Sequence, residues 1–150
     1  MKTTIGKIVD ELMPALQHLA GFQAQGLVIL PQKISYAIGK NYGNLKSIIE
    51  QYHKERHEIL QQTVLKKSDG DFATKLNDQK QKEYVWLPDG HNKYLKAMEE
   101  MKAKEVDFET YRLPGDQLEE VANFPIELYS VLEEFQMISS LRLATDRLVN

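Results

Sequence analysis

A chain of 150 residues has the length of one compact domain, and 42% hydrophobic with 27% charged residues is a globular composition rather than that of a disordered chain. The net charge of -3 provides no overall attraction to nucleic acid or to an anionic membrane, and the absence of Cys excludes disulfides, thiolate nucleophiles and Cys-ligated zinc. The apolar run Gly26 to Leu30 is far shorter than the roughly 20 residues that span a bilayer, and Met1-Lys2-Thr3-Thr4 is not expected to open a signal peptide.

The first segment places Ile8, Leu12, Leu16 and Leu19 on one helical face, with Thr3 or Thr4 as N-cap. Pro14 removes one intrahelical donor and predicts a bend or a late start, and Gly21 to Gly26 reads as the exit. Pro31 then opens the strongest periodic pattern in the chain: Ile34, Ile38, Tyr42, Leu45, Ile49, Tyr52, Arg56, Ile59 and Thr63 recur at steps of three and four. A helix over about 31–65 follows, a rod of roughly 50 Å. Such a rod should project, pair with a long segment or enter an oligomer interface.

Lys67 to Asp71 reads as a turn, and Lys75 to Lys82 as a solvated, flexible loop or frayed helix within a polar stretch over about 66–83. Tyr84-Val85-Trp86-Leu87, ended by Pro88-Asp89-Gly90, and Val106 to Leu113 have strand character and are expected to pair as a minor two-stranded ribbon. Asn92 to Lys104 is a helix between them. Asp116-Gln117-Leu118-Glu119 resembles a capping box for a short helix. Pro125 starts another, with Ile126, Tyr129, Leu132, Phe135 and Met137 as its buried stripe, and Ser139 to Asn150 adds a last turn or docks on a partner. The fold class expected is mainly α, a helical bundle in a single domain organised around the long helix, with the minor two-stranded ribbon.

Few residues suggest chemistry. His53 and His57 lie one helical turn apart and Glu50 three residues before His53, a spacing that could serve one metal. A metalloprotease helix needs Glu where Lys54 stands, and a di-metal bundle needs a second Glu-x-x-His. Asp69 and Asp71 open like a calcium loop, but Ala73, Thr74 and Lys80 occupy positions that need an oxygen ligand, Gly and Glu. No phosphate-cradling Gly-rich signature is present. The reading is a non-enzymatic protein without metal or cofactor.

Ser35, Gly39, Gly43 and Ser47 form a row of small residues spaced by four along the long helix. Each Gly costs roughly 1 kcal/mol there relative to Ala, so the row is the candidate interaction site: another backbone is expected to cross it, from the first helix or from a second copy of the chain. Charge is uneven, with seven Lys/Arg against three Glu from Pro31 to Lys67 and eleven acids against three bases from Met98 to Phe135. Lys33, Lys40, Lys46, Lys54 and Arg56 with Tyr36, Tyr42 and Tyr52 offer a nucleic-acid face, but Tyr42 and Tyr52 belong to the apolar stripe and the bases are scattered. The paired acids Glu99-Glu100, Glu119-Glu120 and Glu133-Glu134 read as solvated helix faces.

The succession of Ala15-Leu16-Gln17-His18-Leu19, Leu30-Pro31-Gln32-Lys33-Ile34-Ser35-Tyr36-Ala37-Ile38-Gly39-Lys40-Asn41, and a charged helix with Tyr52, Glu55-Arg56 and Ile59-Leu60 resembles a group of small bacteriophage and prophage proteins. In these, ALxxL precedes LPxKxxYxIxKN, a long charged helix, a variable polar loop and an acidic extended stretch containing Val, here Lys104 to Phe108. The likeness runs from about Met13 to Leu132, with departures at Phe22 to Ile29 and Lys66 to Asn92. The group carries no established activity, so no site transfers. The resemblance implies a viral protein in the host cytoplasm or the virion, a virion or assembly component or an inhibitor of a host protein. Protein partners or self-association are expected, and no membrane. The alternative is a nucleic-acid-binding regulator using the basic long helix.

Overall fold

The computed structural model describes residues 1–114, 117, 118, 121 and 124–138. The fold is mainly helical with minor two-stranded antiparallel sheets. In chain order the elements are β1 (Lys2–Thr4), α1 (Ile5–Lys7), a π-helical turn (Ile8–Leu12), α2 (Met13–Ala24), α3 (Gln32–Thr63), β2 (Thr74–Leu76), β3 (Lys82–Tyr84), α4 (Gly90–Lys102), β4 (Glu105–Asp107) and α5 (Ile126–Glu134). They fall into two compact units, Met1–Ser47 with Glu105–Asn150, and Ile48–Lys104. The N-terminal half of α3 belongs to the first and its C-terminal half to the second.

Thr4 caps the first helical segment by accepting from the Lys7 N–H at 3.3 Å. Where Pro14 predicted a bend or a late start, a π turn precedes it: the Met13 N–H reaches back to Ile8 O, widening the turn where the proline ring would press on the Asp10 carbonyl. Ile8, Leu12, Leu16 and Leu19 are all buried. After Ala24, Gly26 takes φ +72, Leu27 N–H donates to Phe22 O and Gly26 N–H to Gln23 O, the left-handed termination that glycine favours.

In the first unit α3 buries Ile34, Ile38 and Leu45 of the expected stripe with Ala37 and Asn41 beside them, while Tyr42, expected in that stripe, is half-buried. At 100° per residue, Gly39 and Gly43 then fall on the opposite side. Both are exposed, and apart from the adjoining backbone of α3 itself no atom of the described residues comes within 4 Å of where a Cβ at either would stand. The crossing expected from the first helix is therefore not made at these glycines. Nearer the start of α3, Gln23 Nε2 donates to Ser35 Oγ at 3.2 Å.

The ribbon expected between 84–87 and 106–113 does not form, because each stretch has another partner. β4 pairs antiparallel with β1, and β3 with β2. The polar stretch expected as loop or frayed helix thus holds a hairpin. Its turn is closed by Asn77, whose Oδ1 accepts from the N–H groups of Gln79 and Gln81, each at 2.9 Å. Lys80 follows at φ 58, a left-handed conformation that disfavours side chains with a Cβ. Lys80→Gly should stabilise the hairpin by up to about 1 kcal/mol, read as slower amide exchange at Thr74 to Tyr84.

At the β1–β4 ribbon, the Met1 ammonium donates to Asp107 Oδ1 at 2.9 Å and to Phe108 O at 2.8 Å. Hydrogen bonding to that ammonium and its charge hold the Asp107 carboxyl below its usual range. Its pairing therefore stabilises the ribbon fully above the unfolded carboxylate pKa of about 3.9, and is lost as pH falls through the depressed folded value. Amide protection in β1 and β4 should drop with acid in that window, and Asp107→Asn should remove the dependence.

α5 departs from expectation at Ile126, which is 75% exposed. The buried face runs through Leu128 and Leu132 to Phe135, a four-three spacing that leaves Ile126 outside it. The chain then turns at Gln136 (φ 58) into buried Met137 and Ile138. The capping box at 116–119, the acid pair 119–120 and the tail 139–150 lie in part or wholly outside the described residues.

The second unit has a small core of Tyr52, Leu60, Val64, Met98 and Met101. Half-buried aromatic rings extend it: Phe72 meets Tyr84, Tyr84 meets Trp86, and Trp86 packs on Tyr94 and stacks on His91 at 4.8 Å. Arg56 Nε donates to Tyr94 Oη at 3.2 Å, which explains how an arginine occupies the apolar stripe of α3. The Pro88-Asp89-Gly90 turn forms as expected, with Gly90 N–H donating to Leu87 O at 2.7 Å.

Candidate functional site

From Phe108 to Leu113 the chain is extended and runs along the first half of α3, held by amides rather than by a sheet. Asn44 Nδ2 donates to Glu109 O at 3.0 Å. Asn41, wholly buried, donates from Nδ2 to Tyr111 O and accepts at Oδ1 from Tyr111 N–H, each at 2.8 Å. One side chain thus satisfies both backbone groups of Tyr111, as a neighbouring strand would. Leu113 N–H donates to Met137 O at 2.6 Å. Phe108 and Leu113 are buried at the two ends of the segment, so Tyr111 and Arg112 stand on a fixed backbone facing water.

Opposite them, Lys33, Tyr36 and Lys40 share one side of α3 by the same three-four spacing. Tyr36 and Tyr111, 55% and 43% exposed, meet edge to face with ring centres 5.7 Å apart. Lys40 Nζ lies 5.6 Å from the centre of the Tyr36 ring, within cation–π range. Together with Gln32, Leu113 and Pro114, the two tyrosines, Lys33 and Arg112 line an open cavity of about 670 Å³. Among the described residues its lining carries two cations and no carboxylate.

Two other clefts have the opposite character. One of about 380 Å³ in the first unit is bordered by Asp10, Glu11, Glu127 and Glu134, the last paired with Lys7 at 2.8 Å. The other, about 360 Å³ between α3 and α4 of the second unit, carries Glu55, Glu58 and Glu100, with Lys104 reaching Glu55 at 3.5 Å.

The residues singled out for metal are not drawn together. Glu50, His53 and His57 are exposed on α3. His53 packs its ring against Tyr52, and His57 packs against Phe72 and shares a hydrogen bond with Gln61 at 3.1 Å. Among the described residues no group of three His, Asp or Glu is placed to hold a metal ion, and no helix is long and apolar enough to cross a membrane. No protein-family model, no curated protein and no solved structure matches the chain.

Of the supposed basic and aromatic face, the structure keeps Lys33, Tyr36 and Lys40 at one place. It buries Tyr52 in the second unit and half-buries Tyr42, whose phenol burial pushes up. Tyr111 and Arg112 were not expected there, since alternation in 106–113 speaks only of an extended chain. Asn41 left one signal: a polar residue at a position that the spacing of Ile34, Ile38 and Leu45 assigns to the buried face.

Proposed function

We propose that the chain is a non-enzymatic interaction protein that docks a protein partner in the cavity between Tyr36 and Tyr111. The observation that carries this reading is the exposed tyrosine pair, Tyr36 on α3 and Tyr111 on a segment whose backbone N–H and C=O Asn41 holds. Tyrosine brings a large, stiff, amphipathic contact area and is enriched where proteins bind each other. Next to it, Gly39 and Gly43 of the row Ser35, Gly39, Gly43 and Ser47 leave room for a partner backbone to approach, which supports a docking surface extended along the helix.

Lys33, Tyr36 and Lys40 are also the Lys and Tyr positions of the segment that resembles small bacteriophage proteins. This supports an accessory role, as a virion or assembly component or as an inhibitor of a host protein. The same three residues with Arg112 favour a second reading, a nucleic-acid-binding regulator. A benzoylphenylalanine photo-crosslinker replacing Tyr36 in the full chain separates the two. The expected result is a discrete protein adduct in the producing cells, not formed when the same probe replaces exposed Lys93. Nucleic-acid adducts alone would favour the regulator, and no adduct from position 36 would remove the docking reading.

A further inference from the structure

We infer that the segment docking at this cavity is acidic: an extended peptide that sets an apolar side chain between Tyr36 and Tyr111 and carboxylates against Lys33, Lys40 and Arg112. The inference rests on the docking reading above and concerns what that site selects. Its first support is charge. The unit that holds the cavity has twelve Asp/Glu against eight Lys/Arg, yet among the described residues the lining has cations only. The clefts bordered by Asp10, Glu127 and Glu134 and by Glu55, Glu58 and Glu100 follow the opposite pattern. The sign at the cavity is therefore local, and a complementary partner segment is negative.

Shape is the second support. A concavity of about 670 Å³ lies in the range of roughly 300–1,000 Å³ that encloses a small apolar group. The tyrosine rings meet at 79°, so they do not offer the parallel faces on which successive bases stack. Preorganisation is the third. Arg112 sits between two pinned residues, Tyr111 held by Asn41 and Leu113 held by Met137 O, so less backbone freedom is lost when its planar fork meets a carboxylate.

The test uses the full chain and fluorescein-labelled short peptides that share one Leu, Pro, Phe or Trp anchor and grade from Glu-rich to Lys-rich, read by anisotropy at low and high salt. Affinity is expected to rise with Glu content and to weaken with salt. It should fall about tenfold or more in Lys33→Glu/Arg112→Glu, and stay unchanged in Lys93→Glu/Lys96→Glu, which alters net charge equally in the second unit. Tyr36→Ala should weaken every peptide while preserving the charge trend. Far-UV circular dichroism checks that each variant is folded. Affinity independent of charge, affinity rising with Lys content, or tighter binding of an oligothymidine would each overturn the inference. If position 36 crosslinks a protein while the acidic peptides fail to bind, the docking reading stands and the acidic partner falls; without a crosslink both fall.

Discussion

Asn41→Leu is expected to destabilise the first unit by about 2–4 kcal/mol, the largest effect of any polar substitution in it. Leu fills nearly the same volume, so packing is not what is lost. What is lost is the pair of hydrogen bonds to Tyr111, whose N–H and C=O are then left partly buried without partners, each at a cost of about 1–3 kcal/mol. Asn41→Asp should also destabilise, because a carboxylate can accept from the N–H but cannot donate to the C=O, and it places a charge in a fully buried position. Urea denaturation followed by far-UV circular dichroism measures the change, with Trp86 fluorescence as a separate reporter of the second unit, since the chain has one Trp and it lies there. A loss under about 1 kcal/mol would mean that water replaces the amide. The same variant should weaken peptide binding even where the unit remains folded, because Tyr111 and Arg112 would no longer be held in place.

Gly90→Ala should be the most damaging small change in the second unit. Gly90 opens α4 where the chain passes the end of α3, and a Cβ there would overlap the Thr63 carbonyl oxygen, with Trp86 Cβ 3.5 Å away. The obstacle is backbone, so no rotamer relieves it. The Thr63 carbonyl also accepts from the Leu87 N–H at 2.9 Å, and moving it aside would break that bond. Overpacking of this kind costs about 1–3 kcal/mol, and the lost hydrogen bond adds roughly 1 kcal/mol. A unit with so small a core should lose much of its stability. Trp86 emission is expected to shift to the red at lower urea for Gly90→Ala, while Gly39→Ala, made where nothing stands within 4 Å, should be neutral or stabilising by up to about 1 kcal/mol.

Those two sites show different degrees of legibility. The long helix, an exit within Gly21 to Gly26 and a helix start near Pro31 were readable because each depends on local chemistry: apolar spacing, a glycine free to turn left-handed and a proline suited to a first turn. Gly90 was readable as a turn residue, but its need for a bare Cα comes from Thr63, far away in sequence. The glycine row left a crossing by the first helix or by a second copy open, and the first helix does not reach Gly39 or Gly43, because composition marks where a backbone could approach without saying whether one does. Strand character in 84–87 and 106–113 was visible, yet the partners were not. Alternation describes one face of one strand, and pairing depends on which edges the tertiary fold brings side by side.

By itself, then, the order of residues determined that the long stretch after Pro31 coils, that the chain exits the helix before it by Gly26, and that Ile8, Leu12, Leu16 and Leu19 leave water together, since these follow from interactions within a few residues. Only the tertiary structure decided that Asn41 would stand in for a strand beside Tyr111, and that Tyr36 and Arg112 would share a cavity. Those arrangements join residues about seventy positions apart, and the geometry that satisfies a buried amide or sets two rings edge to face exists only once both segments have packed.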